Sequence, residues 1–115
     1  MRQLIILGGG DWANEILSWL PGCQGYNKDF ALAGVLDDNS EVKKQLENEQ
    51  LYLGTLESIS AYVSKDEYSF AFGISNISVK RLLTEIVPLT RFETLVHKSA
   101  VIAENAQINS GCVVS

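Results

Sequence analysis

The sequence predicts an α/β fold, with a Rossmann-like parallel sheet and flanking helices over residues 1–97, followed by the first hexapeptide repeats of a β-solenoid over residues 98–115. Three observations lead to this prediction. Short apolar segments alternate with segments of helical spacing, which is the order of elements in a parallel sheet covered by helices. Three glycines follow the first apolar segment, and a six-residue rhythm replaces the helical spacing near the end of the sequence.

The first half of the chain predicts two strands joined by a glycine-rich turn and a helix. Gln3 to Leu7 is a short apolar run that ends in glycines, as expected of a buried strand that enters a tight turn. The apolar residues that follow have helical spacing until Pro21-Gly22 ends the pattern. Phe30 to Leu36 predicts the second strand, and Asp37 to Ser40 supplies strong turn chemistry after it.

The second half continues the alternation. The charged stretch from Glu41 to Gln50 is consistent with either a surface helix or a loop, and a short helix is expected to end near Val63. A further helix is predicted from the spacing that runs up to Val87 and stops at Pro88. The remaining strands are predicted at Leu51–Gly54, Ser69–Phe72 and Phe92–Val96.

The last part of the chain changes its period. Helical spacing disappears after His97, and aliphatic and small residues then recur every six residues. Neither a helix nor a simple strand produces this interval, whereas each flat face of a triangular β-solenoid takes one hexapeptide. The alternative is coincidence in a short polar tail. The aliphatic positions are Val96, Ile102, Ile108 and Val114, and the small ones are Ala100, Ala106 and Cys112.

Composition narrows the class of protein. The 115 residues suffice for one compact domain, and a hydrophobic fraction of 46% supports a buried core. A formal net charge of -5 argues against a nucleic-acid partner, and no apolar run is long enough for a membrane span. Cys23 and Cys112 fit neither a metal site nor a disulfide framework, so two free thiols in a cytoplasmic protein are expected.

The best candidate for a binding site is the loop after the first predicted strand. Gly8, Gly9, Gly10, Asp11 and Trp12 lie between a strand and a helix and, with Ala13, fit the G-x-G-x-x-G/A pattern. Exposed N–H groups and the positive end of the helix attract phosphate there, although such turns also serve only to pack a strand against a helix. Trp12 and Trp19 are expected in the core, and Trp12 is also expected to border the glycine loop.

Carboxylates follow the second predicted strand. Asp37 and Asp38 stand where an acidic side chain accepts hydrogen bonds from ribose hydroxyls, or where a plain turn needs aspartate. After the third core strand, Gly73, Ser75 and Asn76 are expected at the same edge of the sheet, to contact phosphate or sugar or to cap the next helix.

The sequence contains no arrangement typical of a reaction centre. His97 is the only histidine, and it lies at the predicted junction, where a structural hydrogen bond is a better explanation than a catalytic base. Neither a nucleophile set, nor a metal cluster, nor a convincing catalytic carboxylate pair is present. The sequence therefore predicts a binding site without catalytic residues and without a metal.

The chain resembles the sugar O-/N-acyltransferases of the sialic acid O-acetyltransferase type, which include the PglD-like acetyltransferases of the bacillosamine pathway. The resemblance covers nearly the whole sequence and rests on five segments in order. It implies a nucleotide-sugar-binding Rossmann-like domain, followed by a left-handed β-helix that forms homotrimers and binds acetyl-CoA between subunits. The segments are LIILGGGDWANEI, GVLDD, YLGTLESI, FAFGISN and HKSAVIAENAQI.

By this resemblance the glycine loop and Trp12 would line the phosphate part of the site, Asp37 and Asp38 would contact the nucleoside, and Gly73 to Asn76 would flank it. Trp12 departs from the family, in which histidine or phenylalanine is common at this position, so the identity of the sugar nucleotide is open. The family's catalytic histidine lies further along the β-helix and does not correspond to His97. We therefore expect this chain alone to be inactive, to need no cofactor of its own, and to be a monomer or weak dimer.

The leading hypothesis is a UDP-sugar-binding domain of an acetyl-CoA-dependent sugar acetyltransferase. One alternative is a fragment of an NAD-dependent oxidoreductase, because the glycine loop and the acidic strand end also suit a dinucleotide. Another is a non-enzymatic module for assembly or regulation.

Overall fold

The computed structural model describes residues 1–97 and the backbone of Val113 and Val114. Its centre is a parallel sheet of four strands in the order β3-β2-β1-β4. β1 pairs in parallel with β2 on one side and with β4 on the other, and β2 pairs in parallel with β3. The strands are β1 (Arg2–Leu7), β2 (Phe30–Leu36), β3 (Tyr52–Gly54) and β4 (Tyr68–Phe72). The predicted α/β class and parallel sheet are confirmed.

Helices connect successive strands and cover both faces of the sheet. They are α1 (Asp11–Trp19), α2 (Ser40–Asn48), α3 (Ile59–Val63) and α4 (Ile77–Ile86), with single 3-10 turns at Leu20–Gly22, Leu56–Ser58 and Leu89–Arg91.

The charged stretch after β2 is a helix rather than a loop. The side chain of Asn39 caps its start by accepting hydrogen bonds from the backbone N–H groups of Glu41 and Val42, at 2.9 and 3.3 Å. This cap satisfies two of the donors that a helix N-terminus leaves free, and Leu46 on the inner face of α2 is buried in the core.

Successive side chains of β1 point to opposite faces of the sheet and pack into two separate hydrophobic clusters. Leu4 and Ile6 point to the face covered by α1 and α2, while Ile5 and Leu7 point to the face covered by α3 and α4. All four side chains are fully buried. A parallel sheet covered on both faces needs strands that are apolar throughout, and this explains why β1 reads as a continuous apolar run.

The prediction of a last strand at Phe92–Val96 is wrong in the length of the strand and in the strand with which it pairs. Phe92 makes a single parallel bridge to Phe70, and the chain leaves the central sheet after the Glu93 N–H donates to the Phe70 carbonyl at 2.9 Å. The strand β5 (Leu95–Val96) instead pairs in parallel with β6 (Val113–Val114), outside the central sheet. At this point the Glu93 side chain forms an ion pair with Arg2.

The two tryptophans of α1 differ in their exposure to solvent. Trp19 packs against the core cluster on its face of the sheet, as expected. Trp12 is 37% exposed, so the expectation of a core position is wrong for this residue. It lies in the first turn of α1, directly after the glycine loop, and so borders this loop as predicted.

The predicted solenoid segment, 98–115, lies outside the described residues except for the backbone of β6. Within the described part of the chain, no helix has the length and apolar character needed to cross a membrane.

Candidate functional site

The glycine loop lies at the carboxyl end of β1, in the middle of the sheet. From β1 the chain proceeds to β2 and β3 on one side, whereas β4 is added on the other side. The strand order therefore changes direction at β1. In open α/β sheets, ligands bind outside the carboxyl ends of the strands at such a point.

Three glycines of the candidate site are required by packing. Gly8 has a φ of +96°, and a side chain there would meet the Cγ2 atom of Ile74. A Cβ atom on Gly9 would lie 2.6 Å from Cγ1 of Val42, and one on Gly73 would meet the Gly8 carbonyl oxygen. The absence of side chains lets the loops after β1 and β4 approach each other at Gly8 and Gly73, and lets the glycine loop approach α2 at Gly9. This is the packing role that the sequence left open.

Gly10 is different because the space in front of its Cα atom is open. An added Cβ atom there would have no neighbour within 4 Å. Gly10 occupies the N-cap position of α1 and has no side chain with which to cap it, whereas asparagines cap α2 and α4. The first turn of α1, beginning with the exposed Asp11, therefore presents backbone N–H groups towards an accessible space.

Asp37 is joined directly to the glycine loop. Its Oδ2 atom accepts the Gly9 N–H at 2.6 Å, and its Oδ1 atom accepts the Asn39 N–H at 2.7 Å. Both carboxylate oxygens are thus engaged with backbone donors. Asp37 fixes the position of the glycine loop. It lies at one side of the candidate crevice, the space bounded by the loops that follow β1, β2, β3 and β4.

Asp38 turns towards the next strand instead. Its Oδ1 atom accepts the backbone N–H of Leu56 at 2.8 Å, and the side chain is exposed. No hydrogen bond to Oδ2 occurs among the described residues, so this oxygen can accept one from a ligand. The two adjacent aspartates therefore have separate partners.

The loop after β3 is a part of the site that the sequence did not single out. The Asp37 N–H donates to the Gly54 carbonyl at 3.0 Å, and the Tyr52 hydroxyl lies 3.4 Å from the Asp37 carbonyl oxygen. Gly54 ends a parallel strand beside β2, so its loop opens at the same edge of the sheet as the aspartates. The rule that the carboxyl ends of parallel strands meet at one edge was the signal that could have found it.

The loop after β4 contributes less than the other three. Asn76 caps α4 by accepting the Val79 N–H at 3.1 Å, which confirms the capping interpretation for this residue. Ser75 is exposed at the edge of the same loop.

His97 packs against the domain as a structural residue. Its ring lies edge-on to the ring of Trp19 at a centroid distance of 6.2 Å, and its backbone forms an antiparallel bridge with Cys23. Among the described residues, no group of three or more histidine, cysteine or acidic side chains is placed to hold a metal ion. The crevice offers backbone donors and carboxylate acceptors, which suit binding.

A cavity of about 480 Å³ lies at the other end of the sheet, where β1, β2 and β4 begin. Arg2, Phe30, Ser69 and Glu93 contribute to its wall. It lies at the amino ends of the strands, away from the glycine loop, and ligands of this type of sheet bind at the carboxyl ends. The glycine-loop crevice is therefore the candidate site.

A known protein family matches most of the chain. The family model described as the PglD N-terminal domain matches residues 3–87, from β1 through α4. The matched range contains all four loops of the crevice. The comparison with curated proteins gave no match. Since the family model covers most of the sequence, the chain belongs to the PglD N-terminal domain family.

Proposed function

We propose that this chain binds a nucleotide-linked sugar, most simply a UDP-sugar, and presents it for acetylation. The observation that carries the proposal is the open, uncapped start of α1 at Gly10, beside the carboxylates that follow β2. Membership of the PglD N-terminal domain family supports the same conclusion.

The diphosphate is expected over Gly10 and the first turn of α1. Backbone N–H groups and the helix dipole both favour negative charge at this position. The Gly9 N–H already donates to Asp37, so the phosphates meet the donors that begin at Gly10. The exposed indole of Trp12 lies in the same turn and provides an apolar surface beside the phosphates or the sugar.

The nucleoside is expected between the loops that follow β2 and β3. Asp38 has one carboxylate oxygen engaged by Leu56, and its other oxygen can accept a ribose hydroxyl. Asp37 is held by two backbone donors and acts mainly by fixing the wall of the crevice. Gly54 and Thr55 complete this side of the site.

Acetyl transfer itself would take place in a later part of the protein. In β5 and β6, Leu95 pairs with Val113 and Val96 with Val114, so partners lie 18 residues apart. Three hexapeptides make one such interval, and this supports a triangular solenoid after His97. We propose that this solenoid is a left-handed β-helix that forms a homotrimer, binds acetyl-CoA and supplies the catalytic histidine, and that the protein is cytoplasmic.

Titration calorimetry of the chain with UDP-N-acetylglucosamine, UDP and NADH tests the proposal. We expect the two uridine nucleotides to bind with millimolar or tighter affinity and NADH to bind more weakly. Absence of binding by both uridine nucleotides contradicts the proposed function. Tight NADH binding without UDP binding would instead favour the oxidoreductase alternative. If none of the three ligands binds, the assembly or regulatory module is favoured.

A further inference from the structure

The segment Glu93–His97, which leaves the central sheet, is fastened to the domain at both ends. At its start, Arg2 and Glu93 form a two-point ion pair, with Nε to Oε2 at 2.6 Å and Nη2 to Oε1 at 3.0 Å. Glu93 is only 7% exposed, so its charge is largely withdrawn from water and depends on this partner. The hydrogen bond to Glu93 also raises the pKa of the Arg2 guanidinium. The pair links residues 91 positions apart.

The end of the segment is held by a different set of contacts. The Gln24 N–H donates to the Val96 carbonyl at 2.8 Å, and Cys23 forms an antiparallel bridge with His97. A side chain on Gly22 would collide with the His97 ring, so this ring lies directly on the turn after α1.

Between these contacts the segment is part of the core. Leu95 is fully buried in the cluster that also contains Ile16 of α1 and Leu20 of the turn that follows it. On one side the Val96 carbonyl of β5 accepts the Gln24 N–H, and β5 also pairs with β6. The backbone that leads into residues 98–115 is thus hydrogen-bonded to the domain itself.

We infer that Glu93–His97 is a rigid joint that fixes the orientation of the following chain relative to the glycine-loop crevice, with Arg2, Glu93 and His97 as positioning residues. This inference rests on the proposed function, because a fixed orientation matters when a sugar bound in the crevice must reach a reaction centre in a later part of the protein.

Residual dipolar couplings of the 115-residue chain test the joint. In the wild-type chain, the amides of β5 and β6 should fit the alignment tensor obtained from β1, β2 and β4. Arg2→Glu places two carboxylates together, and their repulsion should release the start of the segment. The couplings measured for β5 and β6 should then no longer fit the alignment tensor of β1, β2 and β4. Exchange of the Gln24 amide should rise about tenfold, while the Gly8 amide, bonded to Leu36, should keep its rate. A role in stability alone would not separate these two amides.

The double variant Arg2→Glu/Glu93→Arg should restore the fit, since the neighbouring cavity of about 480 Å³ gives the longer side chain room. Lys43→Glu breaks the exposed ion pair with Glu47 and serves as the matched control, with no change in the couplings. If Arg2→Glu does not fold, Gly22→Ala displaces the His97 ring and is measured in the same way.

A wild-type chain that needs a second alignment tensor for β5 and β6 overturns the joint. Couplings that stay in the fit in both Arg2→Glu and Gly22→Ala overturn the positioning roles. Nucleotide binding is measured separately by calorimetry, so a chain that binds UDP with a mobile joint refutes this inference alone. A chain with a rigid joint that fails to bind UDP refutes the proposed function alone.

Discussion

Gly9 donates its backbone N–H to the Oδ2 atom of Asp37 across 2.6 Å, and this bond ties the glycine loop to the end of β2. The other oxygen of the same carboxylate accepts the Asn39 N–H at the turn that begins α2. One side chain therefore organises two walls of the crevice. The residue predicted to contact the nucleoside is instead engaged, in the structure, in holding the shape of the glycine loop.

Replacement of Asp37 should cost more stability than replacement of its neighbour. Asp37→Ala leaves the N–H groups of Gly9 and Asn39 without their acceptor, and we expect the free energy of unfolding to fall by about 2 kcal/mol. Asp38→Ala removes one exposed bond, to Leu56, and should cost less than about 1 kcal/mol. Urea unfolding measures both values, and an equal or larger loss in Asp38→Ala would contradict the assignment.

The central sheet could be predicted from the sequence because its signals are local. The prediction of β2 at Phe30–Leu36 is confirmed at both ends, since a buried parallel strand is a continuous apolar run with turn residues after it. The glycine loop, its helix and the acidic strand end were found in the same way. The sequence left α2 undecided between a helix and a loop, because the segment is charged and its helical start depends on the Asn39 side chain as a cap.

Other features depend on contacts distant in sequence and could not be predicted. Asp37 and Asp38 are adjacent and alike in sequence, yet one contacts Gly9 and the other Leu56, 18 residues further on. Which neighbour each carboxylate meets is decided by the order of strands β3-β2-β1. The last strand was predicted too long because a local apolar run does not show its pairing partner: after the Phe92–Phe70 bridge the chain leaves the sheet, and β5 pairs with β6.

Trp12 should report ligand binding by fluorescence, whereas Trp19 should not. Trp12 is 37% exposed in the first turn of α1, while Trp19 packs on the core. Under the proposed function, UDP-N-acetylglucosamine should change the tryptophan emission of the wild-type chain and of Trp19→Phe. The change should disappear in Trp12→Phe. A ligand-induced change that persists in Trp12→Phe and is lost in Trp19→Phe would place the ligand elsewhere.

The buried thiol of Cys23 should make the stability fall at alkaline pH. Burial raises the pKa of this thiol above its ordinary value of 9.0. Between that value and the raised one, the unfolded chain releases the thiol proton while the folded chain keeps it. The folded state then binds more protons, so the free energy of unfolding decreases as the pH rises above about 9 and is unaffected below it.

Urea unfolding at pH 7.5 and at pH 9.5 measures this effect, at values chosen on either side of about 9. A Cys112→Ser background leaves Cys23 as the single thiol of the two in the sequence. The decrease between the two pH values should be smaller after Cys23→Ala in that background. An equal decrease with and without the thiol would show that other groups cause it.

Gly8 and Gly10 allow folding and binding to be separated, because they stand two residues apart in one loop with opposite surroundings. Gly8→Ala combines a φ of +96° with a collision against Ile74, and should lower the free energy of unfolding by about 3 kcal/mol. Gly10→Ala meets no atom within 4 Å and keeps an ordinary φ of -78°, so its cost should stay within about 1 kcal/mol. The new methyl group enters the space assigned to the diphosphate, and calorimetry should show about tenfold weaker binding of UDP-N-acetylglucosamine, equivalent to about 1.4 kcal/mol. A Gly10→Ala chain that folds and binds as well as the wild type would mean that the phosphates lie away from the start of α1.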